Sequence, residues 1–196
     1  MRTLVIHPDD RTTDFLCLIY FDKNYTVITD HYEIRARFLS EIKKHDRIIM
    51  MGHGCPWGLL GFTQLFMSPK IIKELRKKEC VSIWCHADRY VNEVGIKGFY
   101  TGMFISEVSE ASYYGIGITQ KEITESNLRF SYYMREYLDS PNILNEVRDK
   151  YSANDCPVIE YNSERLYYRD KVTKLNTAHI EKYESKQPFQ YNLLKS

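Results

Sequence analysis

Three short clusters in this chain hold side chains able to do covalent or acid–base chemistry: His7-Pro8-Asp9-Asp10-Arg11, Gly52-His53-Gly54 and Cys85-His86-Ala87-Asp88. A thiol is a few per cent ionised near neutral pH and already a strong nucleophile, and an imidazole beside it raises that fraction or protonates a leaving amine. Cys85 and His53 are the candidate pair for this work. Glycines on both sides of His53 leave room for a substrate backbone, and the amides of Gly54 and Cys85 are candidate donors to a developing oxyanion. Asp10, Arg11 and Asp88 bring charges of both signs for selecting a substrate side chain: Arg11 favours an acidic one, Asp9, Asp10 or Asp88 a basic one, and both remain open.

For the clusters to meet, the chain must bring several strand ends to one edge. Short β-rich runs alternate with longer segments of helical period, the pattern of an α/β fold with a mainly parallel sheet. Strands are expected over Leu4-Val5-Ile6, 25–29, Arg47–Met51, 80–84 and 100–105. Helices are expected after Thr12 or Thr13 as cap, over 32–45, after Ser68-Pro69, near 107–114, after the capping box Thr119-x-x-Glu122, and from Ser140-Pro141 to about 151, with a loop after Gly54 and a loop or short helix over 89–96. The long helix carries Ile123, Asn127, Phe130, Met134 and Tyr137 on one face. From 156 on, VIEY and RLYYRD read as a β-hairpin, and the last dozen residues as a frayed tail. The whole, 1–196, is expected to be a single domain with its core in about 1–155 and the hairpin and tail in 156–196. In such a sheet, ligands bind outside the carboxyl ends of the strands, and each reactive cluster follows a strand. His53 and Cys85 end strands consecutive in sequence, which a right-handed crossover makes neighbours about 5 Å apart.

Composition narrows the partners. The chain has 196 residues with 27 Lys+Arg against 26 Asp+Glu, a net charge of +1 that gives no field to draw nucleic acid or an anionic membrane. Its 43% hydrophobic and 14% aromatic content is that of a folded domain rather than a disordered one, and no apolar run approaches the roughly 18 residues of a membrane helix. The five Cys, at 17, 55, 80, 85 and 156, include no C-x-x-C pair, and the opening MRTLVIHPDD has no basic-then-apolar leader, so a reduced, cytoplasmic setting is expected.

RIIMMGHGCPWGLLG followed by CVSIWCHAD resembles the His-Gly and Cys blocks of the caspase-like cysteine peptidases, the group of caspases, metacaspases, separases and gingipains. The likeness spans about residues 1 to 118. It implies a three-layer α-β-α sandwich, His53 and Cys85 as catalytic dyad, Gly54 as an oxyanion donor, a covalent thioester and a peptide or protein substrate. It leaves room for a catalytically inactive member that acts as a binding or regulatory module, and for a regulatory protein partner. No cofactor or metal is called for. The sequence departs from the group in three ways. The step from His53 to Cys85 is 32 residues against about 50 in caspases, Ile83 stands where metacaspases carry an acidic residue, and His86-Ala87-Asp88 replaces their Ser-Gly.

His7-Pro8-Asp9-Asp10 resembles instead the zinc-binding segment of the LmbE-like deacetylases, but Arg11-Thr12-Thr13 follow it and no H-x-x-H occurs. A catalytic zinc needs three protein ligands, so zinc hydrolysis is the remote alternative. Without chemistry, Pro8 ends the strand and Asp9, Asp10 and the threonines cap a helix. Ser106 and Glu107 either line the cleft or cap the next helix, the latter being the commoner role; Cys55 and His86 flank the dyad without a third ligand, and Trp57 and Trp84 suit core packing.

Overall fold

A computed structural model describes residues 1–61, 64–65, 68–153 and 155–176. In chain order the strands are β1 (Thr3–Ile6), β2 (Thr26–Ile28), β3 (Arg47–Met51), β4 (Gly54–Cys55), β5 (Gly58–Gly61), β6 (Gln64–Leu65), β7 (Glu79–Ile83), β8 (Lys97–Thr101) and β9 (Leu166–Arg169). The helices are α1 (His31–Lys44), α2 (Pro69–Leu75), α3 (Ala87–Val94), α4 (Val108–Tyr113), α5 (Gln120–Tyr137), α6 (Ile143–Ser152) and α7 (Pro157–Ser163), with a 3-10 helix over Arg11–Ile19.

The central sheet runs β2-β1-β3-β7-β8-β9, parallel from β2 to β8, with β9 antiparallel on the edge. β3 and β7 are apolar runs because both faces of a parallel sheet are covered. On one face Ile48, Met50 and Cys80 pack against Phe38 of α1, Ile72 of α2 and Val91 of α3. On the other, Ile49, Met51, Val81 and Ile83 meet Leu16 and Ile19 of the 3-10 helix, Phe130 and Met134 of α5, Val147 of α6 and Ile159 of α7. The chain is therefore an α/β protein with helices on both sides of a mostly parallel sheet.

Local signals explain the helix starts. Asp30 accepts from the Glu33 amide at 2.8 Å ahead of α1, whose last turn carries Lys43 and Lys44 where the helix dipole favours cations. Ser68 caps α2 with Pro69 in its first turn, and Thr119 and Glu122 form the expected box at α5.

Four expectations are corrected. VIEY, rich in strand formers, is α7 rather than half of a hairpin; only Leu166–Arg169 is a strand. Pro157 opens the helix, Val158 and Ile159 join the core, and the buried Asn162 amide clasps the backbone of Ile105, accepting from its N–H at 2.8 Å and donating to its C=O at 2.9 Å. The strand expected over 100–105 lies earlier, at Lys97–Thr101, since the Gly102 amide turns to Arg165 O at 2.8 Å. The helix after β1 has 3-10 geometry and is capped by Asp10, not by a threonine. The segment after β3 folds into a small antiparallel sheet, β4-β5-β6, instead of an open loop. The tail of the last dozen residues lies outside the described residues. No helix among the described residues is long and apolar enough to cross a membrane.

Candidate functional site

From β1 the chain departs onto the face of the 3-10 helix and pairs leftward with β2; from β3 it departs onto the opposite face, through α2, and pairs rightward with β7. The carboxyl ends of β1 and β3 thus flank the point where strand order reverses, the place at which open α/β sheets bind ligands. His53 stands two residues past β3. The ladder of β3 and β7, with Met51 opposite Ile83, is extended by Gly52 N–H donating to Ile83 O at 3.1 Å. His53 and Cys85 therefore leave adjacent strand ends just beyond a shared hydrogen bond, as expected.

The glycines around His53 serve other ends than the sequence implied. Gly52 has φ of +135°, a backbone that L side chains rarely adopt, and a Cβ on Gly54 would sit 2.0 Å from Cδ1 of the buried Trp84. Both hold the loop tightly on the core. The Leu60 amide donates to His53 O at 2.9 Å, so the alternation of an antiparallel ladder makes Gly54 and Leu59 a non-hydrogen-bonded pair. The Gly54 N–H consequently turns away from β5, where it can serve a ligand.

The His53 ring is held from across the crevice. Asp10 accepts from the Thr12 amide at 2.9 Å and from the Thr12 hydroxyl at 2.7 Å, and these bonds lower its carboxyl pKa. His53 Nε2 lies 2.6 Å from the same hydroxyl and 3.7 Å from Asp10 Oδ1. The single hydroxyl proton goes to the carboxylate, so Nε2 carries its own proton and donates to Thr12. That leaves Nδ1 as the basic atom of the neutral ring, without a hydrogen bond among the described residues.

Cys85 is partly buried and does not reach for this ring. Its thiol points to Phe104 O at 3.5 Å and to Glu110 Oε1 at 3.9 Å; no hydrogen bond joins it to His53. Burial, and after it the Glu110 charge, pushes the thiol pKa up to about 12. Glu110 is fixed because Oε2 accepts from the Ser106 amide at 2.8 Å, the Ser106 hydroxyl at 3.3 Å and the Glu107 amide at 3.2 Å. Beyond Cys85 the backbone reverses sharply: His86 sits at φ of +66° as N-cap of α3 and donates its amide to Gly102 O at 3.2 Å. A non-glycine residue in that region is uncommon, and such strain gathers at functional turns.

A recess of about 460 Å³ opens beside this edge, between the 3-10 helix, the 106–109 segment and α5; Arg11, Ser106 and Glu107 line it. Thr12, which anchors His53, is in the same wall. Asp10 acts on His53, and Asp88 stands in the first turn of α3; of the three candidate substrate-binding residues, Arg11 is the one that lines this recess. Trp84 is core, 2% exposed, and donates to Cys55 O at 3.3 Å.

His7 is absorbed in a different network. Thr13 donates its hydroxyl to Asp10 O at 3.1 Å, so His7 Nε2 donates to Thr13 at 3.1 Å, while Nδ1 faces Tyr20 Oη at 3.1 Å and Cys17 Sγ at 3.8 Å. Tyr20 in turn donates to that sulfur at 3.1 Å. Burial lowers the His7 pKa to about 4. Both nitrogens face side chains of the fold rather than a metal position, and among the described residues no group of three His, Cys, Asp or Glu is placed to hold an ion. Three participants here escaped the sequence reading: Thr12 as anchor, Glu110 as brace, and Asn127, a polar residue within the apolar stripe of α5. That break in the stripe was the available signal for Asn127.

The fold and this edge define an α/β protein with an anchored imidazole at its switch point and a thiol past the neighbouring strand end. Compared with models of known families, with curated proteins and with solved structures, the chain matches none.

Proposed function

We propose that the protein is a caspase-like cysteine endopeptidase, with Cys85 as nucleophile and His53 as acid and base. The observation that carries this reading is the anchored ring: Asp10 and Thr12 hold Nε2, which leaves Nδ1 as the base at a strand end that neighbours the one carrying Cys85. The sheet order, with five parallel strands and an antiparallel edge, is compatible with the same reading.

In this mechanism a rotation about Cα–Cβ turns the Cys85 sulfur from Phe104 O towards His53. Nδ1 takes the thiol proton as sulfur attacks the scissile carbonyl carbon, the Gly54 and Cys85 amides hold the oxyanion, and His53 then gives the proton to the departing amine as the C–N bond breaks. Water, deprotonated by the same ring, cleaves the thioester and the thiol is restored. The raised thiol pKa means that thiolate forms on attack rather than standing ready.

A second reading has its own observation. The thiol engaged by Phe104 O, with Glu110 beside it and no hydrogen bond to His53, suits an inactive member of such a fold that binds partners. A peptide-library cleavage screen with Cys85→Ala as control separates the two. Cleavage that disappears in the variant supports the peptidase; no cleavage, with Cys85 labelled by iodoacetamide no faster than the other four thiols, supports the binding module.

A further inference from the structure

The recess beside the His53 edge carries a chemistry of its own. Its wall holds one cation, Arg11, whose guanidinium makes no ion pair or hydrogen bond among the described residues, and one carboxylate, Glu107. A fully charged substrate group of either sign is attracted by one and repelled by the other at close range. What satisfies both is a neutral group that accepts at one end and donates at the other.

Asn127 points to the same class. It is 7% exposed and lines the recess, and its Nδ2 donates to Ser106 O at 2.9 Å, which fixes which way the amide faces. Oδ1 is left buried with no hydrogen-bond donor. A buried acceptor without a donor is costly, and a ligand N–H reaching it as the side chain gives way removes that cost. Phe15 and Leu128 supply apolar wall for methylene groups, and 460 Å³ holds a side chain of that length with room to spare.

We infer that this recess selects a primary-amide side chain, glutamine or asparagine, in the substrate. The amide oxygen accepts from Arg11, and the amide NH₂ donates to Asn127 and Glu107. The inference rests on the peptidase reading for what happens to the peptide once bound, but not for the binding itself.

The test therefore has two arms on the full chain. In the first, fluorescently labelled acetyl-Ala-Ala-X-amide peptides, with X as Gln, Asn, Glu, Asp, Lys, Arg or Ala, are titrated against Cys85→Ala protein by anisotropy. Gln or Asn should bind at least about 10-fold more tightly than Glu, Asp, Lys, Arg and Ala. Arg11→Glu should reverse the order in favour of Lys and Arg, and Asn127→Leu should remove the amide preference. Because Asn127 is buried, Arg11→Glu, an exposed change, keeps the test sound if the Leu variant fails to fold. Tightest binding of a charged X, or no discrimination among the seven, overturns the inference. The second arm compares kcat/KM of the wild-type chain on the matching fluorogenic substrates. Preferred cleavage after a charged residue overturns the inference and leaves the peptidase standing. An amide preference in binding without any cleavage supports the inference and removes the peptidase.

Discussion

Two cysteine–histidine neighbourhoods lie at the same edge of the sheet, and they differ in almost every respect that matters for chemistry. His7 and Cys17 are in contact, 3.8 Å apart, on a ring only 3% exposed whose nitrogens face Thr13 and Tyr20. His53 and Cys85 make no direct bond, but the His53 side chain is 44% exposed and its Nδ1 is open. Proximity alone would select the first pair. A ring whose pKa burial holds near 4 does not take a thiol proton at neutral pH, so the closed pair is a rivet between β1 and the 3-10 helix. On the proposed peptidase reading, the open pair keeps an accessible base and a nucleophile beside a strained turn, and gives up contact in the resting state.

The largest effect that separates the pairs is on cleavage. Cys85→Ala should lower kcat/KM by about 10⁴-fold or more, whereas Cys17→Ala should leave it within about twofold, measured on the preferred peptide of the library. Equal losses would erase the distinction between the pairs.

Stability should show the reverse asymmetry. The unfolded His7 imidazole takes a proton near pH 6.5 and the folded one near 4, so between those values the unfolded state binds more protons and stability falls as pH falls. Urea unfolding of the wild-type chain should lose about 2 kcal/mol between pH 7 and pH 5 on this account, and His7→Asn should lose most of that pH dependence. A wild-type curve flat over this range would mean that His7 is solvated and rivets nothing.

A smaller effect concerns the brace. Glu110→Gln keeps an acceptor for the Ser106 and Glu107 amides and removes the charge facing Cys85. Burial remains, so the thiol pKa falls only part of the way, and iodoacetamide should label Cys85 about 3- to 10-fold faster at pH 7.5. An unchanged rate would show that burial alone sets the thiol.

Much of this frame is legible in the sequence. The apolar runs of β3 and β7, the Ser68-Pro69 start and the Thr119-x-x-Glu122 box are local signals, and the strands and helices they announce are where the periodicity put them. VIEY misled because strand propensity is a weak prior that a proline at the helix start and two core contacts override. The site divides in the same way. That His53 and Cys85 leave neighbouring strands follows from chain order and crossover handedness, which sequence contains. That Thr12 holds the ring and that Glu110 faces the thiol follow from which elements pack face to face, and no local pattern records those meetings.

The finest test bears on Thr12, since the open pair works only if its ring is held. Thr12→Val removes the hydroxyl that receives Nε2–H and itself donates to Asp10, and changes little else in shape. The ring then loses one orienting bond of about 1 kcal/mol, and kcat should drop about fivefold. Thr12 also lines the recess, so a change in KM alone would report substrate packing instead. Thr12→Ser separates the two: it restores the hydroxyl without the methyl group, and should recover kcat if Thr12 acts by positioning His53. A valine variant with unchanged kcat would leave the Asp10–Thr12 contact as the cap of the 3-10 helix and nothing more.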